Sequence, residues 1–229
     1  MLILASNSPR RRQLLSWLGL PFEVSAANIN ETPLAGESPA DYTCRLAKEK
    51  ALAVSGGCQP GDRILASDTT VAVQNSDDEP TGTGPMAILG KPDGALEAEA
   101  MLRSLRGRTH QVYTAVALAR GTLSGDSVLV ELCCTDVFVR TYSDKEMMAY
   151  INSGDPLDKA GAYAIQHNGF HPVERIDGCF ASVMGFPICH VLRLLDRVGI
   201  VPPVNLPRHC LDELGYDCQV YAAIYRPVV

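Results

Sequence analysis

The chain opens on a short unbroken apolar run, Leu2-Ile3-Leu4-Ala5, with the length and composition of a buried strand. Ser6-Asn7-Ser8-Pro9 follows with helix-start chemistry, and Arg11, Leu14, Leu15 and Leu18 recur at helical spacing until Gly19 offers a stop. A strand therefore feeds a helix whose unpaired N-terminal N–H groups face outward from the edge of a sheet. Phe22-Glu23-Val24 reads as a second strand, and Ser38-Pro39-Ala40-Asp41 as the capped start of a helix running towards Val54. Arg63-Ile64-Leu65-Ala66-Ser67 is again strand-like, is expected to end at Asp68, and is followed by Thr69-Thr70-Val71-Ala72-Val73.

Residues 75–86 are polar and rich in Asp, Gly, Thr and Pro, which predicts an exposed loop inserted between regular elements. Helical spacing returns over 94–105, and two β-rich stretches, 111–119 and 127–140, predict an antiparallel pair and hence a mixed sheet. Ser143 to Glu146 forms a capping box for a helix reaching about Asn152 and stopping at Gly154. Short strands are expected at 161–165 and 173–176, and Pro187 opens a last amphipathic helix towards Arg197. Beyond Pro202-Pro203 no period is evident.

Composition changes this α/β picture little. A chain of 229 residues with 46% hydrophobic and 20% charged positions buries an ordinary core, as one large domain or two joined lobes. A net charge of -6 argues against a nucleic-acid backbone as partner and leaves Arg10-Arg11-Arg12 as a local basic cluster. That cluster has no apolar h-region behind it, and no stretch is long enough to span a bilayer, so a cytoplasmic address without membrane attachment is expected. The eight cysteines (Cys44, Cys58, Cys133, Cys134, Cys179, Cys189, Cys210 and Cys218) make no C-x-x-C pair and read mostly as small core residues.

Four places carry chemistry. Ser6, Ser8, Arg10 and Arg11 gather hydroxyls, free N–H groups and guanidinium forks at one helix start, a recipe for phosphate oxygens, although a capped surface helix with solvated arginines uses the same residues. Asp68, after a buried strand, is placed to hold a cation or take a proton from water, or to serve an ordinary turn. Lys91 in a Gly-Lys-Pro turn aims an ammonium at phosphate or at solvent. Asp158, Lys159 and Gln166 lie in a stretch dense in turn formers; Gln166 can both donate to and accept from a uracil or thymine edge, while Asp158 and Lys159 also fit a plain surface ion pair.

Ala5-Ser6-Asn7-Ser8-Pro9-Arg10-Arg11, Arg45-Leu46-Ala47-Lys48-Glu49-Lys50-Ala51, Ser67-Asp68-Thr69, Gly90-Lys91-Pro92, the stretch from Pro156 to Gln166, and Gly185-Phe186-Pro187 occur in that order. Together they resemble the Maf family of nucleotide pyrophosphatases over about Leu2 to Arg197. The resemblance implies an elongated α/β fold with a mixed sheet, flanking helices and a cleft between two lobes, similar to inosine triphosphate pyrophosphatases, spanning 1–201 with an extension at 202–229. It implies Asp68 as general base or metal-linked carboxylate, Glu31, Lys50 and Lys91 lining the phosphate and metal site, and a divalent cation, Mg²⁺ or Mn²⁺, at Glu31 and Asp68. Arg11, Thr69 and Gln166 match positions associated with substrate choice, and Pro-Leu-Asp-Lys-Ala-Gly-Ala-Tyr followed by Gln resembles the branch acting on dTTP and UTP. Asn7, Asn30 and Cys179 depart from the residues common in the family. The implied activity is hydrolysis of a nucleoside triphosphate to monophosphate and pyrophosphate; the alternative is a nucleotide-binding regulator tied to cell division or septum formation, without turnover. The expected partner is the nucleotide, with no nucleic-acid polymer; a homodimer stays open.

Overall fold

The computed structural model describes residues 1–74, 86–121, 128–167, 169–216, 218 and 220–224. In chain order they form β1 (Leu2–Leu4), α1 (Pro9–Ser16), β2 (Phe22–Val24), α2 (Pro39–Ser55), β3 (Arg63–Gln74), β4 (Met86–Leu89), α3 (Ala95–Leu105), β5 (Thr109–Arg120), β6 (Leu129–Val139), α4 (Asp144–Asn152), β7 (Val173–Asp177), α5 (Phe180–Val183), α6 (Ile188–Asp196), α7 (Leu206–Leu214) and α8 (Tyr221–Ile224). The helix starts follow the local chemistry. Ser8 accepts from the Arg11 N–H, Ser38 from the Asp41 N–H, and Ser143 with Glu146 closes a full capping box. Gly19 and Gly154 take the left-handed conformation that ends α1 and α4.

The strands make one mixed seven-stranded sheet in the order β2-β1-β3-β5-β6-β7, with β4 also on β3. One edge of β3 pairs antiparallel with β5 from Arg63 through Ala72. Its other edge meets β1 in parallel at Arg63–Leu65 and then β4 antiparallel at Val71–Gln74. Residues 66–70 lie between these two pairings, so this edge of β3 is open there.

That opening corrects the placement of Asp68, expected at a strand end. β3 runs straight through it, with Asp68 opposite Ala115 of β5. A carboxylate inside a strand is tolerated because its charge meets a lysine across the sheet face. The strand expected at 161–165 is also absent: two 3₁₀ turns, Asp155–Asp158 and Ala160–Ala162, occupy this region. Gly161 and Ala162 both have positive φ, +67° and +57°, which no strand accommodates. A Cβ on Gly161 would lie 3.0 Å from the Val71 methyls, so glycine lets this turn press against β3. β4 was not anticipated, and Met86, read as loop, is its first residue. The remainder of the expected loop, 75–85, lies outside the described residues.

Side-chain alternation along the strands loads both faces of the sheet. Leu2, Leu4, Leu65, Val116 and Leu118 pack with Leu14, Leu15 and Leu18 of the α1 region and with Val191, Leu192, Leu194 and Leu195 of α6. Ile3, Ala5, Ile64, Ala66, Ala115, Ala117 and Ala119 point to the opposite face, against Ala47, Ala51 and Val54 of α2. The small alanines let α2 sit close to the sheet. Farther along, Val71, Val73, Val112 and Val137 pack with α3 and α4. In the stretch after Pro202, α7 is capped by Asn205, ends at a left-handed Gly215, and buries Leu206 against the α1–α6 core. No helix among the described residues is long and apolar enough to cross a membrane.

Two buried histidines set the acid sensitivity of this fold. Burial pushes His110 of β5 down to about 4, and burial, with a smaller effect from Arg193, does the same to His190 of α6. Both stay neutral in the folded chain while their unfolded counterparts protonate below about pH 6.5. The sign is therefore a loss of stability as pH falls from 6.5 towards 4, on the order of 5 kcal/mol by pH 4.5. Glu37 and Glu146, held down at about 2, add their own loss only below the ordinary carboxylate range. Urea midpoints measured from pH 7.5 to 4.5 should fall steadily; a flat profile across that window would show that these rings are not buried neutral.

Candidate active site

The open stretch of β3 distributes its side chains by parity. Even positions face α2: Asp68 is 6% exposed, and its Oδ1 accepts from Lys50 Nζ at 2.6 Å. Thr70 reaches the other carboxylate oxygen, Oδ2, at 3.4 Å. Lys50, near the C-terminal end of α2, also pairs with Glu31 Oε1 at 2.7 Å, so one ammonium holds two carboxylates from distant parts of the chain. Burial alone would raise the Glu31 carboxyl, but the hydrogen bond and charge of Lys50, helped by Lys91 and Arg11, bring it below its ordinary value.

Glu31 belongs to residues 25–38, which form neither helix nor strand. Side chains of α2 hold this coil. Tyr42 donates its phenol to the Glu31 carbonyl at 2.7 Å, and Arg45 donates to the Thr32 carbonyl at 3.2 Å. Arg45 also grips Glu37 through Nε and Nη2 at 2.6 and 2.8 Å, which holds the Glu37 carboxyl at about 2. Burial, with Asp68 and Glu31 nearby, pushes the Tyr42 phenol up to about 12, so it stays a donor.

Odd positions of β3 face α1. Arg11 spends its guanidinium there on protein atoms: Nε on the Gly185 carbonyl at 3.0 Å, Nη1 on the Ser67 carbonyl at 2.7 Å and Ser6 Oγ at 3.4 Å, and Nη2 on Thr69 Oγ1 at 3.3 Å. Ser67 Oγ donates to the same Gly185 carbonyl at 2.8 Å, and Thr114 on β5 joins Thr69 to the Ser182 carbonyl. The Ser67 carbonyl lies in the stretch where β3 lacks a neighbour on one edge, and the Arg11 fork supplies its donor. Arg11 thus bolts α1 to β3 and to the Gly185 turn while also lining the cleft. Burial lowers the Arg11 pKa, and Asp68 pushes the other way.

These residues surround a cleft of about 400 Å³. Ser6, Ser8, Arg10, Arg11, Glu31, Lys50, Asp68, Thr69, Lys91, Asp158 and Lys159 all line it. Gln166 does not; it lines a neighbouring depression of about 260 Å³ that shares Arg10 and Lys159 with the cleft. Lys159 is 7% exposed and committed to Asp155 and Asp158, at 3.0 and 2.6 Å. It is therefore part of a buried-lysine network and not a surface pair. Arg10 and Lys91 differ: among the described residues neither side chain makes a hydrogen bond or ion pair, and both reach the cleft. Tyr42, Thr70 and Thr114 escaped the sequence reading. Helical spacing offered a signal for Tyr42, which stands eight residues before Lys50 on α2, but nothing local marked the two threonines.

Among the described residues no three His, Cys, Asp or Glu side chains converge as a metal cage, and all eight cysteines are free thiols. Two carboxylates meeting at one lysine instead match what Mg²⁺ uses when a bound polyphosphate supplies the remaining oxygens. The donor set therefore fits a cation that arrives with its ligand.

Fold and site together define an α/β protein whose mixed-charge cleft opens where one sheet edge is interrupted. The chain belongs to the Maf-like protein family, whose model matches residues 1–198. It is 47% identical to the dTTP/UTP pyrophosphatase of Myxococcus xanthus over 203 residues, covering 89% of this chain and 95% of that protein. It is 45% identical to the protein of that name from Thermomicrobium roseum, over 90% of this chain and 87% of that one. Among solved structures it is similar to a HAM1 protein from Coxiella burnetii, with a TM-score of 0.42 and 13% identity over 75% of this chain and 79% of that one.

Proposed function

We propose that this chain is a nucleoside triphosphate pyrophosphatase that hydrolyses dTTP and UTP to the monophosphate and pyrophosphate. The observation that carries the reading is the Glu31–Lys50–Asp68 cluster facing a cleft in which two further cationic side chains, Arg10 and Lys91, have no protein partner at contact distance among the described residues. Relatives bearing this activity in their name match nearly the whole chain. Lys91 and Arg10, with the free N–H groups at the start of α1, bind triphosphate oxygens. Lys50 keeps the two carboxylates together. Asp68 Oδ2, which meets only the long contact from Thr70 among the described residues, is the oxygen that takes a proton from water as it attacks the α-phosphorus. Glu31 and Asp68 would hold a divalent cation, Mg²⁺ or Mn²⁺, which supplies charge neutralisation of the triphosphate. The depression containing Gln166 adjoins the phosphate end through Arg10 and Lys159, and its amide suits a pyrimidine edge.

Hydrolysis of UTP in ¹⁸O water tests the bond cleaved. Label should enter UMP and leave pyrophosphate unlabelled, and UDP should be the poorer substrate because it lacks the γ-phosphate contacts. UDP with orthophosphate as first products would contradict attack at the α-phosphorus. A cleft that binds UTP without releasing pyrophosphate would instead support a regulatory nucleotide binder.

A further inference from the structure

We infer that Tyr42 is a positioning residue for the cation site: its phenol fixes the backbone at Glu31 so that the Glu31 carboxylate reaches Lys50 beside Asp68. The inference rests on the proposed role of Glu31 and Asp68 as the cation-holding pair.

The need for such a device follows from where Glu31 sits. Asp68 is set by a sheet strand and Lys50 by a packed helix, but Glu31 is on a coil, with its side chain 48% exposed. A carboxylate on an unrestrained coil would lose conformational freedom each time it met a cation, which weakens binding. The coil is not unrestrained. Tyr42 Oη holds the carbonyl of Glu31 itself, at 2.7 Å, while Lys50 holds its carboxylate at 2.7 Å. Tyr42 and Lys50 are eight residues apart on α2, close to two full turns and hence on one stripe of the helix. One rigid helix thus grips a single residue at both its main chain and its side chain. Arg45, on the next turn, holds the adjacent Thr32 carbonyl at 3.2 Å, and its guanidinium lies 5.5 Å from the Tyr42 ring centre, which keeps the ring in place. Removing the phenol oxygen alone therefore deletes the grip on the Glu31 backbone and leaves the ring packing.

The test is Mn²⁺ binding, followed by the electron paramagnetic resonance signal of free Mn²⁺, in the presence of the uncleaved analogue α,β-methylene-UTP. Tyr42→Phe should weaken Mn²⁺ binding about tenfold, the lower end of what loss of a partner behind a metal ligand does, with an unchanged melting temperature and a kcat for UTP that recovers at high Mn²⁺. Glu31→Gln should weaken it at least as much. Because Tyr42 acts through Glu31, the double variant Tyr42→Phe/Glu31→Gln should bind no more weakly than Glu31→Gln alone. Unchanged Mn²⁺ affinity in Glu31→Gln would overturn the cation-site reading and this inference with it. Weakened binding in Glu31→Gln with none in Tyr42→Phe, or fully additive losses in the double variant, would overturn the role of Tyr42 alone.

Discussion

Asp68→Asn should cut turnover of dTTP and UTP by at least about 10²-fold to 10³-fold while the chain still folds, because the substitution keeps the side chain's shape and removes its charge. Its Oδ2 is the proposed proton acceptor, and an amide at the same place has no basic oxygen for water. The structure also says what the change does to stability. Lys50 loses one of its two charged partners but keeps Glu31 at 2.7 Å, and an amide oxygen can still accept from its Nζ. The buried ammonium is thus never left alone, and the cost should stay near 1 to 2 kcal/mol, a drop of a few degrees in melting temperature for a chain of this size. Calorimetry beside a pyrophosphate-release assay checks both halves. A rate within a few-fold of the parent would remove Asp68 from the chemistry.

Arg11→Met is expected to act on the fold as strongly as on activity. Methionine keeps much of the stem but leaves the Ser67 carbonyl without its donor and takes one of two donors from the Gly185 carbonyl, which together should cost about 2 to 5 kcal/mol. Gly185 retains the Ser67 hydroxyl at 2.8 Å, so the Ser67 carbonyl carries most of the loss. Urea unfolding separates the possibilities. A residue whose partners were phosphate oxygens would leave the unliganded midpoint untouched and change only KM, and that outcome would contradict the bolt described here. Arg11→Lys should recover part of the stability, since one ammonium reaches one carbonyl but cannot fork to two.

Much of this arrangement could be read from residues in order, and the exceptions have a common cause. Strand and helix starts were legible because capping and alternation are local: Ser8, Ser38 and Ser143 each announce a helix within four residues. Asp68 was misplaced at a strand end because a carboxylate in an apolar run looks like a terminus until its counter-charge is visible, and Lys50 is eighteen positions away on a helix. The apolar Gly161-Ala-Tyr-Ala-Ile165 looked like a strand because nothing in composition reveals two consecutive positive φ values. Arg11 looked free for the same reason that Asp68 looked terminal, since its acceptors at Ser67 and Gly185 are brought to it only by folding. Eleven of the twelve expected site residues line one cleft, whereas Gln166 falls in the adjoining depression. α7 was missed although its Asn205 cap and Gly215 stop were present, because its contacts with the core, Leu206 fully buried and Cys210 and Leu214 partly so, are too few to set a clear apolar period.

The parity of β3 has a consequence for which length changes the gene can carry. Ser67, Asp68, Thr69 and Thr70 serve opposite faces in turn, and both outer ends of the strand are pinned, by β1 at Arg63–Leu65 and by β4 at Val71–Gln74. Deleting or inserting one codon among these four would turn the carboxylate away from Lys50 and towards Arg11, or force one pinned end out of register. A two-codon change would restore the facing but shift one anchored pairing by a full repeat. This stretch should therefore accept substitutions far more readily than insertions or deletions, and a scan of single-codon indels along 67–70 should find no functional survivor.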